Sequence, residues 1–275
     1  MDRASKRLCV WTASVLLIFG ISAAPAVAAP WAFDATGSEA SVSADPPAPT
    51  PPAPAPTTPV PEFVDTVLSD ENLESRWAFV TRPTIARSEP SKRARKIRKL
   101  TTRTPDRTNE LVLALKSRQF ANGDVWVQVR LPMRGSGRKG WVSRAALGKY
   151  RVVRTKLIIN RGSFRATLYK SGKKIWETRI GVGKKGTSTP AGRFYIRNKL
   201  TVANPGGMYG PYAMGLSAYS KTLTDWPGGG IIGIHGTNQP GLIPGRVSHG
   251  CVRVKNAKIR RLNKLMGPGT PVLIK

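Results

Sequence analysis

Most apolar positions after residue 76 alternate with polar ones at period two, and period two predicts half-buried strands rather than helices. Val125-Trp126-Val127-Gln128-Val129 is the clearest case. Gly140-Trp141-Val142 follows the turn-rich Arg134-Gly135-Ser136-Gly137, and Leu111 to Leu115 forms a further apolar run. Short strands with Gly-rich turns predict a small β-barrel or sandwich over residues 77–148. Trp126 and Trp141 are expected to fill its core rather than to serve as ligand platforms.

The last part of the chain, 150–275, also reads as mostly β. Lys156 to Asn160 and Ala166 to Tyr169 flank Arg161-Gly162-Ser163, a hairpin signal. Lys174 to Val182, Arg193 to Ile196, Ile231 to His235 and Pro271 to Ile274 are the remaining strands. One helix is predicted: Asn256 as N-cap, Ile259, Leu262 and Leu265 or Met266 on one face, Lys and Arg on the other, and Gly267 at its end. The expected fold class is therefore mainly β, a small barrel-like module followed by a larger β domain with one short C-terminal helix.

The N-terminus follows a different rule. Arg3, Lys6 and Arg7 precede an apolar run from Leu8 to Ile21, and Ala26-Val27-Ala28 fits a cleavage site. Residues 1–28 read as a signal peptide. An uncleaved anchor is the alternative, although the run is short of the ~20 residues of a spanning helix. Residues 46–61 hold nine prolines among sixteen positions, which favours extended polyproline II. Residues 29–75 are accordingly expected to be a disordered, acidic, Pro-rich linker, separable from activity.

Charge sharpens this picture. The chain has 45 Lys and Arg against 15 Asp and Glu, a formal net charge of +30. Eight acidic residues lie between Arg7 and Arg76, where there is no Lys or Arg; beyond Tyr150, 23 Lys and Arg face only Glu177 and Asp225. Basic surfaces commonly bind nucleic acid. Export argues against that, so anionic cell-wall polymers or an acidic lipid surface are the expected partners, with no nucleic acid. The localisation that follows is the cell wall or periplasmic space.

The candidate chemistry lies in one short stretch. The two cysteines are Cys9, inside the signal segment, and Cys251; the two histidines are His235 and His249. A leftover thiol in an exported protein is an intermolecular bridge, a buried inert group or a working nucleophile. His235 ends a predicted strand, and Ser248-His249-Gly250-Cys251 leads into Val252-Arg253-Val254, so two strand ends can bring thiol and imidazole together. A thiol needs such a neighbour, because only the thiolate is strongly nucleophilic and the free pKa is ~8.5. The imidazole takes the proton and later protonates a leaving amine. The backbone N–H groups of Gly250 and Cys251 are candidate oxyanion donors.

Ile234-His235-Gly236-Thr237, a Gly/Pro-containing loop and Ser248-His249-Gly250-Cys251-Val252-Arg253 resemble the signature of the L,D-transpeptidase catalytic domain. Gly181-Val182-Gly183, Thr189-Pro190-Ala191-Gly192, Asn256 and Gly269-Thr270-Pro271-Val272 are similar to further pieces of that family. The preceding module resembles bacterial Src-homology-3-like wall-binding modules. The resemblance implies a β-sandwich-like catalytic domain over 150–275. In it Cys251 attacks the third residue of a donor tetrapeptide stem and expels D-alanine. His235 is its base, and the carbonyl of Gly236 orients the ring. His249, Gly250 and Ser248 shape the oxyanion pocket. Arg253, Tyr212, Trp226 and Thr237 are the substrate-binding candidates. The acyl group then passes to an amine acceptor stem as a 3→3 cross-link. No cofactor and no metal are implied, and carbapenem-type inhibitors are expected to acylate the thiol.

Three other readings compete. An L,D-carboxypeptidase on the same fold would use water as acceptor. A zinc site would use His235, His249 and Cys251 as ligands. A non-catalytic wall-binding protein would use only the basic surface.

Overall fold

The computed structural model describes residues 62–224 and 229–275. The expected signal peptide, the proline-rich part of the linker and Trp226 lie outside the described residues.

The first sheet contains β1 (Phe63–Val67), β2 (Ser75–Phe79), β3 (Thr84–Arg87), β4 (Lys96–Leu100), β5 (Leu111–Phe120), β6 (Val125–Arg130), β7 (Lys139–Ser143) and β8 (Arg151–Val153). Its order is β4-β3-β7-β6-β5-β2-β8, with β1 paired to the second half of β5. All its pairings are antiparallel. Trp126 and Trp141 are both buried, but outside the core cluster that the sequence reading assigns them to: they alternate with Val127, Val129 and Val142, which fill that core, and Trp141 lies beneath Lys116 and Arg118 on the other face.

The ten residues of β5 explain how this sheet is used. At period two, Val112 and Ala114 face the sheet's own core with Val127, Val129 and Val142. Leu111, Leu113 and Leu115 face the other way and pack with Trp77 and Tyr195. Tyr195 belongs to the second sheet, so both faces of β5 are covered, one of them by the rest of the chain.

The second sheet contains β9 (Thr155–Asn160), β10 (Arg165–Lys170), β11 (Lys173–Arg179), β12 (Gly181–Gly183), β13 (Gly192–Thr201), β14 (Tyr212–Tyr219), β15 (Ile231–His235), β16 (Gly245–Ser248), β17 (Val252–Arg253) and β18 (Pro271–Ile274). The order is β11-β10-β9-β18-β13-β14-β15-β17-β12-β16. Three pairs are parallel: β9 with β18, β15 with β17 and β12 with β16. The long β13 gives its first half to β18 and its second half to β14. One core runs beneath the sheet, from Leu157, Ile159 and Leu168 through Ile196, Leu216 and Ile234 to Val252. Helix α1 (Asn256–Leu265) closes it with Ile259 and Leu262.

Three expectations need correction. The linker does not run to residue 75. Its last part forms β1 and the start of β2, Leu68 enters the core, and Glu71 pairs with Arg130, whose side chain is only 2 % exposed. Strand β1 escapes a pattern reading because all five of its residues are exposed. It is held by backbone pairing and by Asp65, which accepts from Arg118 at 2.7 and 2.8 Å and from Lys116 at 2.9 Å. The domain boundary also moves: β8 pairs with β2, so residues 151–153 belong to the first sheet. Finally, Asn256 is not the N-cap of α1. Lys255 holds that position, without a side-chain cap, and the Asn256 side chain is used elsewhere.

The sheets are joined by charge as well as by apolar contact. Arg197 in β13 donates to Glu110 through Nε at 2.8 Å and through a second, shorter bond, and to the Tyr219 hydroxyl at 2.9 Å. Both members of the ion pair are almost wholly buried. Burial works against the Arg197 charge, but the Glu110 carboxylate outweighs it and holds the guanidinium firmly protonated. Removing one partner of such a pair typically costs ~3–5 kcal/mol.

A deletion tests the corrected boundary. A chain beginning at Arg76 loses β1 and Leu68 and strands Arg130 without its carboxylate. Thermal unfolding should show it at least ~3 kcal/mol less stable than a chain beginning at Glu62.

Candidate functional site

Strands β15 and β17 run parallel, with Ile234 opposite Val252 and His235 opposite Arg253. Cys251 stands one residue before this ladder, beside Gly233, whose N–H donates to Sγ at 3.4 Å. Gly233 and His235 are two apart on one strand and share a face. The thiol and the imidazole therefore line the same opening, as the sequence predicts. His249 and Arg253 line it too, with Tyr209 and Met208 from the loop before β14.

His235 is 4 % exposed. Its Nδ1 lies 2.6 Å from the Gly236 carbonyl, which can only accept, so Nδ1 carries the proton and Nε2 is the basic nitrogen. The Tyr209 ring meets the imidazole edge-on at 4.8 Å between centroids. Burial pulls the His235 pKa down to about 4; the Gly236 bond opposes this, and the charge of Arg253 adds to it. Burial pushes the Cys251 thiol up, against smaller opposing effects of the Gly233 N–H and Arg253. The pair consequently rests as neutral thiol and neutral imidazole. Burial penalises both charges.

The loop between β16 and β17 is built by hydrogen bonds that the motif alone does not reveal. Ser248 Oγ donates to the Cys251 carbonyl at 2.5 Å and accepts from the Gly250 N–H at 3.1 Å. The Gly250 amide is thus already engaged, and its expected role as an oxyanion donor is corrected. The Cys251 amide precedes the strand ladder and is the remaining donor of the two. Gly250 has φ +120, a conformation that side chains rarely adopt, and a Cβ there would meet Ile232 at 2.8 Å. Thr189, which the sequence places only in a strand-entry motif, donates to the Gly250 carbonyl at 2.8 Å and accepts from Gly183 N–H at 2.9 Å.

The other candidates separate. Arg253 lines the recess; its Nη1 donates to Gln239 at 3.0 Å, and its buried Nε has no partner among the described residues. Tyr212 packs on the core instead of lining the recess. Thr237 is buried, with its N–H on Asn256 Oδ1 at 2.8 Å and its hydroxyl accepting from Gln239 N–H. Both stabilise the strand end instead of facing the opening. Met208 and Tyr209, from the loop before β14, line the opening where Tyr212 does not. Among the described residues, no cluster of three or more His, Cys, Asp or Glu side chains is placed to hold a metal ion.

This is a β-sheet protein in which a half-buried thiol and a buried imidazole share a cleft at the ends of two parallel strands. Residues 154–274 match the YkuD family, the L,D-transpeptidase catalytic domain. The match begins beyond the first sheet, so it does not extend to the Src-homology-3-like resemblance of that sheet. The chain is 41 % identical over 95 residues to the YkuD protein of Bacillus subtilis (strain 168), covering 34 % of this chain and 50 % of that one. It is 37 % identical over 107 residues to the YkuD protein of Bacillus licheniformis, covering 39 % and 57 %. The chain thus spans about half the length of these curated relatives. The solved catalytic domain of an Enterococcus faecium L,D-transpeptidase is 29 % identical, with a TM-score of 0.33, over 44 % of this chain and 96 % of that one.

The pKa directions make a direct prediction. A group whose pKa is lowered stays neutral further into acid. The His235 ring should keep its neutral NMR signature at pH 6 and titrate near pH 4, instead of near the ordinary ~6.5. Alkylation of Cys251 should still be rising above pH 9.

Proposed function

We propose that this chain is an exported L,D-transpeptidase that forms 3→3 peptidoglycan cross-links through a thioacyl-enzyme on Cys251. The observation that carries the reading is the placement of His235 beside Cys251 with Nδ1 tied to the Gly236 carbonyl, inside a region that matches the L,D-transpeptidase catalytic domain.

The chemistry follows from the neutral resting pair. As the donor carbonyl approaches, the thiol proton passes to His235 Nε2 and Sγ attacks the carbonyl carbon of the third stem residue. The Cys251 N–H stabilises the developing oxyanion. The tetrahedral intermediate collapses with the imidazolium protonating the D-alanine nitrogen, and the thioester remains. The acceptor amine then attacks, gives a proton to His235, and displaces the thiol, which recovers that proton. Each charged state exists only while substrate covers the site, which suits a cleft that disfavours the ion pair at rest.

Arg3, Lys6, Arg7, the Leu8–Ile21 run and Ala26-Val27-Ala28 support export to the cell wall or periplasmic space. The net charge of +30 supports attraction to anionic wall polymers.

Incubation with disaccharide-tetrapeptide, followed by mass spectrometry, tests the reading. Acyl-enzyme and cross-linked dimer are expected; hydrolysed tripeptide alone would make the protein a carboxypeptidase, and no covalent species at all would make it a binder. Cys251→Ala should abolish both acyl-enzyme and carbapenem adducts. His235→Ala should slow acylation by roughly 10²–10⁴-fold, the usual share of a general base. Binding to purified anionic walls should weaken as salt rises, because exposed charges are screened over ~8 Å at physiological ionic strength.

A further inference from the structure

Two openings reach Cys251, and their electrostatic character differs. The first is the recess beside Arg253 and His249. The second is a cavity of about 550 Å³, where Asp106 and Met214 join Tyr209, Ile231, His235 and Cys251. The last four line both openings. Asp106 is the acidic residue among the described residues that line either one. It is contributed by the turn before β5, from the first sheet.

We propose that the second opening admits the amine acceptor and that Asp106 holds its ammonium group. The inference rests on the transpeptidase reading and adds which face the acceptor uses and which residue selects it. A side-chain ammonium approaching a chain of net charge +30 meets repulsion almost everywhere, so an unneutralised carboxylate at the mouth of one route is a strong local preference. Asp65, Glu71, Glu74, Glu110 and Glu177 each have an Arg or Lys nitrogen within 4.0 Å. Asp106 has no such partner among the described residues; nor have Glu62, Asp70, Glu89 and Asp124, but none of those lines either opening.

The carboxylate is nonetheless held in position. Asn198 Nδ2 donates to Asp106 Oδ2 at 2.8 Å, and Asn198 Oδ1 accepts from the Gly215 N–H at 3.0 Å. Gly215 is in β14, which pairs with the strand that carries His235. Asp106 is exposed, and Oδ1 stays available to a ligand. Arg253 lines only the first opening, and its guanidinium charge suits the terminal carboxylate of the donor. The cleft then has a polarity: anion on the Arg253 side, cation on the Asp106 side, thioester between.

The proton balance fits this arrangement. The acceptor arrives as R–NH₃⁺ and loses one proton to water. The free amine attacks the thioester carbonyl and gives its second proton to His235 Nε2. As the C–S bond breaks, that proton returns to Sγ.

The test compares a cationic with a neutral acceptor on purified protein acylated by disaccharide-tetrapeptide. Nα-acetyl-lysine methylamide carries only the ammonium; hydroxylamine is neutral above pH 7. Asp106→Asn keeps an oxygen for Asn198 and should raise the half-saturating concentration of the lysine derivative ~5-fold, the range of an exposed ion pair, and Asp106→Lys should raise it further. The dependence on hydroxylamine should not move. In the unsubstituted protein, added salt should raise half-saturation for the lysine derivative alone, a readout that does not require the variants to fold. Equal shifts for both acceptors, or none for either, would overturn the role of Asp106. An unsubstituted protein that forms no acyl-enzyme would instead overturn the transpeptidase reading, and this inference with it.

Discussion

The site depends on one short piece of backbone pairing, the two-residue parallel ladder between β15 and β17. Side chains alternate along a strand, so a slip of one residue would turn His235 or Arg253 to the other face and separate the imidazole from the thiol. Two paired positions are too few to fix a register alone. The bonds around them do so. Val254 N–H donates to the His235 carbonyl at 2.9 Å and Gly236 N–H to Tyr212 at 3.2 Å. Asn256 then holds Thr237 N–H, tying the first turn of α1 to the end of β15. The contact is so close that a Cβ on Gly236 would lie 2.4 Å from Asn256 Oδ1. Glycine at 236 is therefore required by space, and its carbonyl is free to orient His235 without a side chain of its own.

Burial then sets how the pair can work. The effect that makes this cleft a good place for acyl transfer, exclusion of water, also disfavours a resting ion pair. A site in which the thiol stays protonated and the imidazole stays neutral protects the nucleophile from charge-dependent side reactions. It obliges the substrate to complete the electrostatics. The Tyr209 ring against His235 belongs to this arrangement: it packs on the imidazole without supplying a charge.

Much of this was legible in the chain, and the reasons differ by element. Period-two runs such as Val125–Val129 betray their strands because one face is buried. The chemistry was legible because Cys251, His235 and His249 lie so close together at strand ends. Strand β1 was not legible, since an edge strand with five exposed residues has no apolar alternation to display. Nor were the Thr189–Gly250 and Asn256–Thr237 bonds. They join residues 61 and 19 positions apart, and nothing local distinguishes a hydroxyl or amide that reaches that far from one that caps a helix. The Gly250 amide was misassigned for the same reason: whether an N–H is free depends on where Ser248 turns, which spacing does not specify.

The first sheet was the largest change in meaning, from a module on a tether to part of the cleft. A domain joined only through a linker and a polar interface would be expected to move. Here the interface contains a leucine stripe from β5, the Tyr195 hydroxyl on the Leu111 carbonyl at 3.1 Å and a buried Arg197–Glu110 pair. Separating the sheets would leave both charges to be resolvated and the apolar stripe exposed, a cost comparable with a large share of the ~5–15 kcal/mol that holds an ordinary domain folded. The sheets should therefore behave as one body. Arg197 and Asn198 are neighbours on β13: the first fastens Glu110, the second positions Asp106. The same two residues that dock the first sheet thus bring its only cleft-lining acid, among the described residues, to the edge of the reacting pair. Docking and recognition are in this sense one construction, because the side chain offered to a ligand is fixed by the interface that makes its own sheet immobile.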